Sequence, residues 1–386
     1  MLGAAKTRMV GGLKKPVITS VSDVYAGWIE NYDVIINVDP DSLYKSDVVV
    51  TARWPSGAGS DSVSQSLTAT EGGLILFNAS GSTFGVLQAG TIIKWTVQSV
   101  FESDPYEKAV VGMPTGGTIQ KIGKDRIHTY LSNGTFEVPE GFGRNMRVLA
   151  VAGGGGGGGK ESGGGGAGGM IDNTISVTDG SHPVTVGVGG QGGYGGYRER
   201  DNGLNGTNSV FLSQTAIGGG GGGGTSRNAS ALNGGSGGGV GHGYAPGQGT
   251  PGQGYAGGSY SNTQGSSGGG GAGGVGGDQV GLSRGGHGGP GRYSDISGTN
   301  RAYAGGGGGC LNTDYGDSDS LQGKGGVGGG GNSGKGNQVI YPGSPVNGVD
   351  GLGGGGGSGG WSGDWFSGQT GGKGGNGIVI IRYTVA

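Results

Sequence analysis

The sequence predicts a mainly β protein with much non-regular structure: a two-sheet β-sandwich, then a small β layer and a bundle of extended polyglycine-II helices. Three observations carry this reading. Of the 109 glycines, 18 fall in residues 1–150 and 91 in the remaining 236, so two differently built regions join near residue 150. Residues 16–111 hold short β-branched runs punctuated by Gly, Asp, Asn, Ser and Pro, with no helical stripe. The later glycines come in tracts of comparable length, separated by segments that carry nearly all the side-chain chemistry.

After an arm of residues 1–15, the first module covers 16–118. Its runs are 17–24, 32–38, 47–54, 63–70, 74–77, 91–101 and 106–111. In 91–101, Ile93, Trp95, Val97 and Phe101 share one face while Lys94, Thr96 and Gln98 take the other, and that period of two marks a half-buried strand. Tyr32, Val34, Ile36 and Val38 alternate likewise against Asp33 and Asn37. Seven short strands predict two packed sheets. With Trp54 or Trp95 as the buried tryptophan, the pattern resembles a fibronectin type III or immunoglobulin-like module without its cysteine pair, which implies a spacer or docking unit.

The second region, 119–386, opens with strands predicted at 127–131, 135–138 and 147–152, where Asn133-Gly134 supplies a turn. About a dozen glycine tracts follow, beginning at 153–159 and 163–169 and including 234–243, 247–258, 268–277 and 323–331. A flexible linker is one reading, because glycine loses the most backbone entropy on ordering. An RNA-binding tail is another, but Arg284-Gly285-Gly286 is a lone RGG and arginine is too sparse for phosphate contacts. The third is a bundle of threefold glycine rods. Each rod makes no internal hydrogen bonds, so its outward N–H and C=O groups need neighbours on all sides, and a Cβ pointing inward would hold those neighbours apart. Common tract lengths favour the bundle. So does the closing strand at 377–385, where Val379, Ile381, Tyr383 and Val385 face one way and Ile378 and Ile380 the other, so that the strand is covered on both sides.

VLAVAGGGGGGG, preceded by GTFEVPEGF and closed by GGNGIVIIRYT, resembles the polyglycine-II domains at the tips of bacteriophage tail fibres and in other virion proteins. It is more distantly similar to the glycine-rich ectodomain of anaplastic-lymphoma-kinase-type receptors. Those receptors carry a signal peptide, several cysteines and a membrane span, none of which this sequence shows. The match covers roughly residues 125–386. It implies a virion protein, made in the host cytoplasm, whose N-terminal region contacts other virion proteins and whose loops touch a protein or glycan receptor on the bacterial surface. A purely architectural virion component is the alternative.

The loops are 197–217, 225–233, 292–304, 311–322, 337–350 and 361–370. Their aromatic side chains, Tyr293, Tyr303, Tyr315, Tyr341, Trp361, Trp365 and Phe366, are candidate receptor contacts, against the alternative that they cap the bundle. Asp314, Asp317 and Asp319 offer oxygen donors for Ca²⁺ without the spacing of an EF-hand, and the default is a solvated acidic loop. Enzymatic readings fail on chemistry. Gly154–Gly159 with Lys160 lacks the Ser or Thr of a phosphate loop, since Glu161 stands there. Gly234-Gly235-Ser236-Gly237-Gly238 lacks the strand and helix of a nucleophile elbow. His128, His182, His242 and His287 pair with no spaced carboxylate, so no zinc site, triad or cofactor is expected. A net charge of −2 from 24 basic and 26 acidic residues indicates no nucleic-acid partner. No apolar run reaches a bilayer-spanning length, and the N-terminus lacks an apolar signal core. The lone Cys310 permits no intrachain disulfide.

Overall fold

The computed structural model describes residues 15–25, 32–42, 47–56, 59–70, 73–79, 87–88, 91–98, 103–195, 202–224, 230–241, 245–259, 265–279, 284–311, 322–335, 343–360 and 368–385. These are mainly β. In the N-terminal region, β1 (Ile18–Val21), β3 (Tyr32–Val38) and β6 (Leu74–Ala79) form one antiparallel sheet in the order β1-β3-β6. A second sheet takes the order β2-β8-β7-β4-β5, from β2 (Val24–Tyr25), β4 (Asp47–Ser56), β5 (Gly59–Thr68), β7 (Ile92–Gln98) and β8 (Tyr106–Val111). The two share a core because alternate residues of each point inward: Val34, Ile36, Ile75 and Phe77 meet Val50, Ala52, Ile93, Trp95 and Val97. Phe77 sets its edge against Trp95 at 5.2 Å. Trp54 and Trp95 are both buried. The run 17–24 divides at Ser22-Asp23, where the chain leaves its antiparallel partner β3 and pairs in parallel with β8.

After the two N-terminal sheets, one strand precedes those predicted at 127–131, 135–138 and 147–152. β9 (Thr118–Ile122) turns through Gly123, at φ 56°, into β10 (Asp125–Tyr130). With β12 (Arg144–Val151), β13 (Met170–Val177) and β19 (Ile378–Thr384), these make a five-stranded sheet in the order β13-β12-β19-β10-β9. A four-stranded sheet pairs β11 (Gly134–Val138), β14 (Gly180–Thr185), β15 (Ser209–Phe211) and β16 (Gln214–Ala216). The expected turn at Asn133-Gly134 is not a hairpin. Strands β10 and β11 go to different sheets, and Asn133 instead accepts the Val186 N–H through Oδ1. β12 and β19 are adjacent, Val148 opposite Ile381. Val148, Ala150, Val379, Ile381 and Tyr383 pack with Phe136, Phe142 and Phe211, while Leu149, Val151, Ile378 and Ile380 pack on the other face with Ala167, Met170 and Leu352. The closing strand is therefore apolar on both faces because both are covered.

Beyond the sheets the glycine tracts run as rods outside any strand, and their bonding repeats every three residues. Gly153 and Gly156 donate to Thr207 and Leu204, Gly154 and Gly157 to Gly375 and Gly372, and Gly155 and Gly158 to Gly166 and Gly163. The carbonyls repeat the pattern, taking the N–H groups of Gly219 and Gly222, of Gly190 and Gly193, and of Gly356 and Gly359. One rod thus bonds to six neighbours, three antiparallel through its donors and three parallel through its acceptors. In this rod each amide from Gly153 to Gly158 is satisfied without a side chain. At Gly156 an added Cβ would lie on the Gln191 carbonyl, and at Gly165 on the Gly155 carbonyl.

Some tracts are not single rods. Gly268 and Gly271 accept from Gly258 and Tyr255 and donate to Gly277 and Gly274, so tract 268–277 doubles back on itself. Tracts 247–258 and 323–331 reverse at Gly252 (φ 78°) and at Gly328 and Gly329 (both φ 96°). A turn that needs left-handed backbone is spelled with the same residue as the rods, which hid these reversals.

Candidate functional surfaces

Rods alternate in direction, so their connections gather at two ends. At the sheet end lie the junctions with β12, β13, β14, β15, β16 and β19 and the hairpin of β17 (Arg292–Ser294) with β18 (Arg301–Tyr303). At the far end the first rod reverses through Lys160 and Glu161, both buried, with φ of 46° and 49°. The described residues flanking each undescribed segment from 196 to 367 lie around that far end. Gly195 sits beside Gly368, Gly224 and Gly241 sit beside Glu161 or each other, and Gly265 sits beside Gln279. Gly265 is also bridged to Leu311, while Lys335 bonds to Gly343 and Gln369 to Gly360.

This arrangement divides the predicted contact residues. Tyr315, Tyr341, Trp361, Trp365 and Phe366 lie outside the described residues, as do Asp314, Asp317 and Asp319, but their flanking rods all end at the far end. Tyr293 and Tyr303 do not join them, because segment 292–304 folds at the sheet end as the β17–β18 hairpin. Tyr303 is 1% exposed and packs beneath the five-stranded sheet with Ile127, Ile296 and Ile380, so it is a core residue and not a surface contact. Tyr293 is 59% exposed.

Tyr293 edges an open cleft of about 530 Å³, lined also by Arg147, Asp172, Asn173, Gly252, Gln253 and Arg292. Ion pairs fix its floor. Arg147 reaches both Asp172 oxygens at 2.8 Å and Asp295 Oδ1 at 2.6 Å, and Ser294 Oγ donates to Asp172 at 2.7 Å. Burial pushes the Asp172 carboxyl up, but the Arg147 and Ser294 bonds more than offset it and hold it below the usual carboxylate range. Hydrogen bonds to Asp172 and then Asp295 raise Arg147 further above an already high value. Arg292 spends its guanidinium on the Met170 and Gly252 carbonyls. These groups latch the hairpin to the sheet, and the charge in the cleft is internally paired.

Other titratable groups are also structural. His128 Nδ1 lies 2.7 Å from the Gly116 carbonyl, which can only accept, so Nδ1 carries the proton and Nε2 accepts from the Tyr383 hydroxyl at 3.0 Å. Burial lowers its pKa, keeping the ring neutral. Cys310 is buried at a rod end. Among the described residues no group of three or more His, Cys, Asp or Glu is placed to hold a metal, and no helix is long and apolar enough to cross a membrane.

Sequence reasoning missed one working set. Segments 197–217 and 337–350 are read as loops, yet each contains a perimeter rod. In NGLNGTN, Asn202, Asn205 and Asn208 accept the N–H groups of Gly224, Gly221 and Gly218 at 2.6, 2.9 and 2.9 Å. In VNGVDG, Asn347 and Asp350 accept from Lys373 and Asn376. The signal was a glycine-and-Asx period of three, present in both strings.

Residues 129–384 match a protein family described as a glycine-rich domain. No curated protein matches the chain.

Proposed function

We propose, from the premise that this chain belongs to the glycine-rich domain family, that it is a bacteriophage virion protein of the tail tip or fibre. Its rods are polyglycine-II helices, and the segments joining them at the far end bind a receptor on the bacterial surface. A bonding partner that changes at each residue and returns at every third supports the helix assignment, since that backbone has three residues per turn and directs its N–H and C=O groups outward. In the N-terminal module, sheet orders β1-β3-β6 and β2-β8-β7-β4-β5 around a buried tryptophan support an immunoglobulin or fibronectin III-like docking unit.

The observation that carries the reading is that the described rod termini flanking the side-chain-rich segments gather at one end. Rods lined mainly by glycine, with few buried exceptions such as Ala167, Val240 and Ser358, leave most sequence variation to the connections. The described connections at the sheet end are short reversals or strands, while at the far end, apart from the buried turn at Lys160 and Glu161, the described rod termini bracket the segments to which we assign that variation. The reading keeps Tyr315, Tyr341, Trp361, Trp365 and Phe366, which belong to segments whose flanking rods end there, and leaves Tyr293 and Tyr303 out of the contact set. The test is adsorption of purified protein to host cells after replacing 312–321, 336–342 and 361–367 together by Gly-Ser segments of equal length. Binding should fall at least tenfold with the thermal midpoint unchanged. Undiminished adsorption would overturn the adhesin reading in favour of a purely architectural role.

A further inference from the structure

The perimeter of the rod bundle poses a problem that its interior does not. A rod at the surface has neighbours on only part of its circumference, and a bare glycine rod there would offer unpaired N–H and C=O groups to any similar rod, as an open sheet edge does. Four adjacent perimeter rods show what the chain does about this. They run along 202–208, 186–195, 368–376 and 343–350. Leu204 and Thr207 donate to Gln191 and Val188, Gly371 and Gly374 to Gly193 and Gly190, and Gly348 to Lys373.

On each of these rods the outward position, one in three, carries a side chain. Val188, Gln191 and Tyr194 are exposed, the first and last at 56% and 65%. The intervening Gly189 and Gly192 face the neighbouring rod, where an added Cβ would lie on the Gly374 and Gly371 carbonyls. Leu204 and Thr207 stand outward on the next rod, and Thr370 and Lys373 on the one beyond. Asparagine side chains take up some of the other donors: Asn205 Oδ1 accepts from Gly221, Asn347 Oδ1 from Lys373 and Asn376 Oδ1 from Gly189. The outward set includes aliphatic, aromatic, amide, hydroxyl and ammonium groups. What its members share is a Cβ.

We infer that this face is a guarded lattice edge: outward side chains at every third residue prevent a second copy of this chain from docking its own rods and extending the hydrogen-bonded lattice between molecules. The latent partner is a second copy because only a rod of the same repeat presents donors and acceptors at the matching interval. The inference rests on the polyglycine-II reading of the rods.

The test compares two full-length variants with the parent protein. In one, Val188, Gln191, Tyr194, Leu204 and Thr207 are all changed to Gly, and in the other all are changed to Ser, which removes the same groups but keeps each Cβ. By sedimentation velocity the Gly variant should at least double in weight-average mass with rising concentration, while the Ser variant sediments as the parent does. Amide exchange is followed in all three. A Gly variant that keeps its rods protected yet sediments as the parent does overturns the guarded edge and leaves the helix reading standing. Association of the Ser variant to the same extent also overturns it, because loss of bulk and not loss of Cβ would then be the cause. Rods in the parent that exchange like a free peptide would remove the helix reading itself.

Discussion

At the scale of single residues, two chemistries hold the glycine-rich region together. The first is the absence of a side chain. Gly156 donates to Leu204 and accepts from Gly222 while the Gln191 backbone occupies the space a Cβ would need. The obstacle is a backbone carbonyl, which cannot rotate away as a side chain can. Gly156→Ala should therefore cost about 3 kcal/mol, the upper part of the overpacking range, even though alanine is the smallest possible change. Gly123→Ala, where nothing crowds the added carbon but φ is 56°, should cost about 1 kcal/mol. Urea denaturation of both variants checks the order. The second chemistry is ionic. The Asp172 carboxyl is depressed in the folded protein, so its contribution is complete above the ordinary aspartate value of about 3.9 and is lost as pH falls through the folded value. The gap in thermal midpoint between the parent and Asp172→Asn should be wide at pH 7 and should close as pH falls through the depressed folded value. A gap that does not change with pH would assign the residue's role to shape alone.

At the scale of elements, the strands follow from patterns the sequence displays openly. All seven predicted N-terminal runs contain strands, and the two-sided apolar pattern of β19 matches its burial against both clusters. What the sequence hides is anything written in glycine. The reversals at Gly252 and Gly328 use the residue that also builds the rods, so no change of composition marks them. The perimeter rods at 202–208 and 343–350 are obscured in the opposite way: enough polar side chains interrupt the glycines to suggest loops. Their asparagines replace a missing neighbour's carbonyls. Changing Asn202, Asn205 and Asn208 together to Ala strips three acceptors, each worth about 1 kcal/mol. Amide exchange should accelerate at Gly218, Gly221 and Gly224 well before the central rod 153–158 responds. Uniform acceleration in both rods would mean that the ladder holds the whole bundle and not its edge.

At the scale of the whole molecule, the candidate surface was only partly legible. The sequence pointed to aromatic segments between rods, but one chain cannot say at which end each segment emerges, because direction depends on counting every reversal and several were invisible. Hence the sequence groups Tyr293 and Tyr303, which lie on the β17–β18 hairpin, with segments whose flanking rods end at the opposite end. The interior of the bundle has a thermodynamic consequence of its own. Melting an ordinary core wets hydrocarbon and raises the heat capacity, whereas wetting peptide groups lowers it. Unfolding a bundle lined with glycine amides exposes little hydrocarbon, so its free energy of unfolding should bend only slightly with temperature. Such a region holds its shape in the cold as well as in warmth, through a range over which an oil-filled domain of equal length weakens at both extremes.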